Sequence, residues 1–134
     1  MININRKINI WGGIFIDNRK KIKWQNKAWN IKVSTYKNKR LCLFLENKKS
    51  IKEITIDLND AYLDNGHLFL DPETKDNGIL QVLRKARIIR CITGISYYNY
   101  ISVPIALVNM GILRKYDYKG TSEYLNIIRK GEIV

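Results

Sequence analysis

The period of apolar positions along this chain changes once, between Ile54 and Arg84. Ile54, Ile56 and Leu58 alternate with Thr55, Asp57 and Asn59, which is the two-residue period of a strand with one buried face. A second apolar burst at His67–Leu70 stops at the Asp71-Pro72 step. After a polar run to Gly78, Ile79, Leu80, Leu83 and Ala86 recur at helical spacing. This spacing predicts a helix that covers the strand. Asp76 or Asn77 would cap it, since a short side-chain oxygen accepts from a first-turn amide that lacks a partner. Gln81, Arg84, Lys85 and Arg87 would face outward.

Strand patterning dominates the N-terminal half. Ile2, Ile4, Ile8 and Ile10 alternate with polar neighbours across Met1–Ile10, Gly12-Gly13 follows Trp11, and Ile14–Ile16 is a second burst closed by Asp17-Asn18. Lys20–Trp24 reads as a third strand. Trp29, Ile31, Val33 and Thr35 alternate most clearly, with Asn30, Lys32 and Ser34 between them. Lys37-Asn38-Lys39 is a tight turn into Leu41–Leu45, which is apolar on both faces and therefore expected to be central. Residues 20 to 58 read as an antiparallel meander.

Beyond the helix, Ile88-Ile89 and Cys91-Ile92 form another burst and Gly94 punctuates it. Ile95, Tyr97, Ile101 and Val103 resume a strand rhythm, with Pro104 expected at an edge or end. Val108–Leu113 suggests one helical turn and Lys115–Gly120 a loop. A last helix would start at Thr121 or Ser122 with Glu123, carry Tyr124, Leu125, Ile127 and Ile128, and end at Gly131. The expected class is α+β: an antiparallel β-meander packed by one central helix, with a short C-terminal helix. One domain over 1–134 is expected, with a basic β part (1–50), a strand, acidic loop and helix part (51–90), and a C-terminal strand and helix part (91–134).

Composition supports folding without staples, since 134 residues at 46% hydrophobic content can bury a core. Cys42 and Cys91 lie far apart in apolar strand-like settings, so they read as small buried hydrophobes of a reducing, cytoplasmic protein. No secretion-type leader pattern opens the chain. The longest apolar region, Ile101–Leu113, is interrupted by Ser102, Pro104 and Asn109, so neither export nor a membrane span is expected.

Charge changes the picture. The net charge is +12, yet residues 1–50 hold 13 Lys/Arg against 2 Asp/Glu, residues 51–80 hold 2 against 7, and residues 81–134 hold 9 against 3. A chain basic at both ends and acidic in its middle suits a polyanion on one face and a different contact on another.

The runs ITIDLND, HLFLDPETKDNGILQVLRK and YYNYISVPIALVNMGILRKYD together resemble a domain family of unknown function carried on plasmids, conjugative elements and phages of Gram-positive bacteria. The resemblance covers roughly residues 28–117. It carries no catalytic residues across. It implies a setting among accessory genes of mobile elements, which encode small proteins that handle nucleic acid or disarm host defences such as CRISPR.

The most suggestive segment for chemistry is Arg19–Arg40, with Lys20, Lys21, Lys23, Lys27, Lys32, Lys37, Lys39 and Arg40 around Trp24, Trp29 and Tyr36. Cations neutralise phosphates and aromatic faces stack on exposed bases, a composition suited to single strands or folded RNA. Strand alternation opposes the stacking half, because a core-facing Trp29 is no platform, and a solvated sheet face explains the lysines as well as binding does. Arg84, Lys85, Arg87 and Arg90 form a second basic strip ahead of Tyr97, Tyr98 and Tyr100, whose tyrosines more commonly serve packing than recognition.

Asp60, Asp64 and Glu73 are candidates for a basic protein partner. Asp57, Asp71, Glu73 and Lys75 superficially match a metal-dependent nuclease, but that chemistry wants its Glu-x-Lys on a strand and here it lies beside Pro72. The carboxylates fail calcium-loop spacing, and His67 is the sole histidine. The expectation is a non-enzymatic basic binding protein without cofactor. Its expected partner is RNA or DNA, a host-defence ribonucleoprotein such as a Cas effector, or both, and it would act as an anti-CRISPR-like inhibitor. The alternatives are a plasmid or transfer accessory protein that binds nucleic acid, and the nuclease.

Overall fold

A computed structural model describes residues 19–133. The strands expected at Met1–Ile10 and Ile14–Ile16 lie outside these residues. Strands β1 (Ile22–Trp24), β2 (Lys27–Thr35), β3 (Leu41–Glu46) and β4 (Ile51–Glu53) pair antiparallel in chain order, which is the expected meander. Gln25 and Asn26 between β1 and β2 both have positive φ, 53° and 61°, the conformation a two-residue hairpin loop needs to match the strands' twist. Trp29, Ile31 and Val33 are buried as their alternation predicts, and so are Leu41, Leu43 and Leu45 of the interior strand β3.

The meander ends earlier than the pattern suggests. Ile54 is 0% exposed and belongs to neither neighbouring strand. Its amide donates to Leu43 O at 3.1 Å, and its own carbonyl accepts from the Asp71 amide at 2.9 Å. One residue is thus tied to both sheets, and the chain crosses from the first to the second there. β5 (Thr55–Ile56) pairs with β6 (His67–Leu70), and the second sheet runs β5-β6-β8-β7, with β7 at Ile89–Tyr98 and β8 at Ile101–Val108.

At the crossing one position departs from the expected faces: Ile54 and Leu58 are buried as their alternation predicts, but Thr55 is buried too. Thr55 is 2% exposed while Ile56 is only half-buried. A threonine is tolerated inside because its Oγ1 accepts from the Leu43 amide at 3.1 Å and shares a 2.8 Å hydrogen bond with the Tyr36 hydroxyl.

Gly94, expected to punctuate, lies inside β7 at an irregularity of the β7–β8 register. The reversal occurs at Asn99-Tyr100, both left-handed with φ of 50° and 67°. Pro104 lies in β8, an inner strand, one residue past the end of its pairing with β6, where one side of β8 is open. This is the local edge that a residue without an amide hydrogen tolerates.

Four helices complete the α+β fold: α1 (Glu73–Asp76), α2 (Ile79–Lys85), α3 (Met110–Tyr116) and α4 (Tyr118–Ile133). Helix α2 is the expected cover, with Ile79, Leu80 and Leu83 buried and Gln81, Arg84, Lys85 and Arg87 exposed. Asn77 Oδ1 accepts from the Ile79 amide at 3.0 Å, although the cap position itself is Gly78 at φ 89°.

The C-terminal helix is the longest element, at 16 residues, and not short as its pattern implied. It begins within the expected loop because Asp117, not Thr121 or Ser122, caps it. Asp117 Oδ1 accepts from the Gly120 amide at 3.1 Å, and its Oδ2 accepts from the Val33 amide of β2 at 2.9 Å. The same carboxylate starts the helix and pins it to the β2 edge that β1 leaves unpaired.

The main core draws on both sheets and on three helices. Ile31, Leu43, Leu68, Leu70, Ile79, Leu83, Ala106, Leu113 and Tyr124 meet there. Leu58, Phe69 and Val103 form a smaller cluster on the opposite face of the second sheet. No helix among the described residues is long and apolar enough to cross a membrane.

Candidate polyanion-binding surface

Strand geometry turns most of the cations of residues 19–40 outward, but not all to one place. Lys21 and Lys23 flank the buried Ile22 and Trp24 and are exposed, as are Lys20 and Lys27. The Lys20 amide donates to Lys115 O at 3.2 Å, which brings the basic end of α3 beside β1. Lys32 is half-buried on the outer face, opposite Phe44. Lys37 and Lys39 sit at the β2–β3 turn, at the far end of β2 from Lys27, about 27 Å away at strand rise. Among the described residues none of these lysines has a carboxylate at ion-pairing distance, whereas Arg40 pairs with Asp57 at 3.8 Å and Lys52 with Glu73 at 3.3 Å.

Two members of the expected surface are corrected. Arg40 is not free to meet phosphate: its guanidinium donates to Leu58 O at 2.9 Å and Ala61 O at 2.6 Å and lies 5.8 Å from the Phe69 ring centre. It holds the loop over the smaller core, and its charge serves those carbonyls. The aromatic platform is also absent. Trp24 and Trp29 are buried against each other, 5.5 Å between ring centres, and their indole N–H groups donate to Asn77 O and Trp24 O. Tyr36 is half-buried, and burial pushes its hydroxyl well above the ordinary 10.0.

The second basic strip is brought together more tightly. Arg84 and Arg87 at the end of α2 and Arg90 on β7 line one concavity of about 550 Å³ with Ile89, Leu107 and Asn109. Lys85 is exposed next to it in sequence but does not line it. Helix α2 packs beside β1, and the 2.8 Å bond from the Trp24 indole reaches Asn77 O just ahead of the N-terminal end of α2. The strip, at the opposite end of α2, and the β1 lysines therefore belong to neighbouring elements.

The acidic residues disperse into different roles. Asp57 accepts twice from Asn38 Nδ2 and faces Arg40. Asp60 is exposed beside Tyr97 and Tyr98, and Asp64 accepts from the Tyr62 hydroxyl. Glu73 stands apart from both and pairs with Lys52. The nuclease arrangement does not assemble. Antiparallel pairing of Thr55 with Leu70 sends Asp57 and Asp71 to opposite ends of the β5–β6 pair, and Glu73-Thr74-Lys75 forms a short helix where that chemistry wants a strand. No group of three or more His, Cys, Asp or Glu that could hold a metal occurs among the described residues.

Cys91 is exposed on β7, against expectation, because strand alternation beside the bulge turns it away from the main core; Cys42 is half-buried. His67 is a β6 strand residue as expected. The structure also reveals a feature the pattern did not: Ile95, Tyr97, Tyr98, Tyr100 and Ile101 are exposed at the end of the β7–β8 hairpin. The signal was available, since no charged residue occurs from Cys91 to Leu113. Comparison with family models, curated proteins and solved structures yields no match.

Proposed function

We propose that this chain is a non-enzymatic, cytoplasmic binding protein that engages a polyanion, RNA or DNA, through the surface formed by β1, the start of β2 and the α2–β7 junction. One observation carries this reading: Lys20, Lys21, Lys23, Lys27, Arg84, Arg87 and Arg90 are exposed without carboxylate partners among the described residues, while Asp57, Asp60 and Asp64 lie on the loop after β5. Unpaired surface cations acquire their energetic value when counterions are released from a phosphate backbone. Lys37 and Lys39 lie too far from this surface to share a short ligand with it.

Mobility shifts with single-stranded DNA, duplex DNA and RNA test the reading. Binding at low salt that weakens about linearly in log affinity against log salt is expected, with a slope of several phosphate contacts. No retardation at low salt would remove it.

The mobile-element resemblance supports a finer form, in which the polyanion is the guide or target strand of a host-defence ribonucleoprotein such as a Cas effector and the chain inhibits it. Asp60 and Asp64 would meet basic protein grooves there; Glu73, already paired, would not. A plasmid-interference assay in cells with an active CRISPR system separates inhibitor from plasmid or transfer accessory protein, since only the inhibitor restores transformation.

A further inference from the structure

We infer that the concavity between the end of α2 and the start of β7 is a phosphate-binding subsite built by Arg84, Arg87 and Arg90. It rests on the polyanion reading and narrows it to one place on the surface.

Three guanidinium-bearing residues line the same concavity of about 550 Å³, and none pairs with a carboxylate among the described residues. Like charges gathered without a counter-charge repel one another in the folded state, so their convergence favours an anion between them. Guanidinium is the group suited to the task, because its planar fork donates two parallel hydrogen bonds to phosphate oxygens. Asn109 adds a neutral donor. Its Oδ1 accepts from the Ile112 amide at the start of α3 at 3.1 Å, which leaves its Nδ2 hydrogens available to the lining. The buried Ile89, the half-buried Leu107 and the exposed Cys91 complete the lining.

The backbone at Arg87 is the second observation. The Arg87 amide donates to Arg84 O at 3.0 Å and the Ile88 amide to Leu83 O at 3.0 Å, which is the hydrogen-bond pair that closes a helix with a left-handed residue just past its end. Arg87 occupies that position at φ 65°. Glycine is the residue that adopts this conformation without strain. An arginine there is less stable than a glycine would be, and strain held at a surface residue points to a use for its side chain. Helix-dipole stabilisation explains Arg84 and Lys85, which lie in the last turn of α2. It does not explain Arg87, beyond the helix, or Arg90, on the strand.

Shared chemistry leaves two sources of the phosphate: the backbone of a nucleic acid, or a small phosphate such as a free nucleotide. Arg87→Gly separates fold from ligand because glycine relieves the strain while deleting the fork, and Arg90→Ala, at an exposed strand position, is the second variant. Three measurements apply to each: the urea midpoint, affinity for a single-stranded RNA 20-mer across a salt series, and the thermal shift produced by pyrophosphate. Arg87→Gly should raise the urea midpoint, weaken RNA binding about fivefold at moderate salt and lower the salt slope by about 0.7, the loss of one phosphate contact on a single strand. Arg90→Ala should reproduce the binding loss without the gain in stability.

If wild type retains RNA poorly but pyrophosphate raises its melting temperature and Arg87→Gly abolishes that rise, the subsite stands with a small phosphate as ligand, while the wider polyanion reading fails. If both variants keep wild-type RNA affinity, salt slope and pyrophosphate response, or if wild type responds to neither ligand, the subsite is overturned.

Discussion

The β2–β3 and β7–β8 hairpins share antiparallel pairing and alternating sequence, yet they end in opposite environments. In the first, Ile31, Val33, Leu41, Leu43 and Leu45 are all buried, because the second sheet and the helices lie across that face. In the second, pairing with β6 stops at the register of Ile105, and the ladder continues as a two-stranded ribbon in which Val103 is still covered by the smaller cluster while the tip beyond it is open. Tyr97 and Tyr100 there are 71% and 103% exposed. Alternation determines which side chains share a face, but not whether anything packs on it. Tyrosines make the same point. Tyr36 and Tyr124 lie within the fold and burial raises the pKa of both hydroxyls, whereas Tyr97, Tyr98 and Tyr100 meet solvent.

Truncation breaks this comparison most sharply. Leu43→Ala, at a position with 0% exposure, should destabilise the protein by about 3 kcal/mol, the transfer loss plus an unfilled cavity. Tyr100→Ser should change stability by no more than about 0.5 kcal/mol. Urea denaturation of the two variants checks both, and a large effect of Tyr100→Ser would mean that the ribbon end is covered after all.

Gly120→Ala probes how the first hairpin is covered. A Cβ at Gly120 would lie 2.3 Å from Val33 O and 2.8 Å from Asp117 Oδ2, neither of which can yield without breaking the Asp117 link from α4 to β2. A loss of about 2 kcal/mol is expected, with hydrogen exchange accelerated at the Val33 amide. An Ala variant as stable as wild type would refute so close a helix–strand approach.

The smallest expected effect concerns pH. Because the Tyr36 pKa is raised in the folded state, above the ordinary 10.0, its contribution is complete below about pH 10 and is lost as pH rises toward its folded value. Tyr36→Phe should therefore be less stable than wild type at pH 9, where the Thr55 hydrogen bond is missing, and the gap should narrow by pH 11. Urea midpoints at the two values decide it, and parallel losses would show that the hydroxyl is not protected in the fold.

Much of the fold was legible because local patterns carried it: β2, β3, β6 and α2 follow their apolar spacing, and the outward face of α2 is the one its period gives. The site was legible as a list of cations and illegible as a surface. Nothing local distinguishes Arg40, committed to the Leu58 and Ala61 carbonyls, from Arg84, which stays unpaired. Strand alternation already argued against Trp29 as a stacking platform, and the packing of Trp24 on Trp29 removes Trp24 as well. Thr55 was misread because its inward position depends on the Leu43 amide, twelve residues away.

By itself the amino-acid sequence determined the element types, the polar and apolar faces of most of them, and the segregation of basic ends from an acidic middle, since all three are properties of neighbours along the chain. Tertiary structure alone decided where the chain leaves the first sheet at Ile54, how far α4 extends from its Asp117 anchor, which cations stay unpaired, and that three arginines line one concavity. Those outcomes depend on partners many residues away, and their energies exist only once the chain has brought the partners within hydrogen-bonding or van der Waals reach.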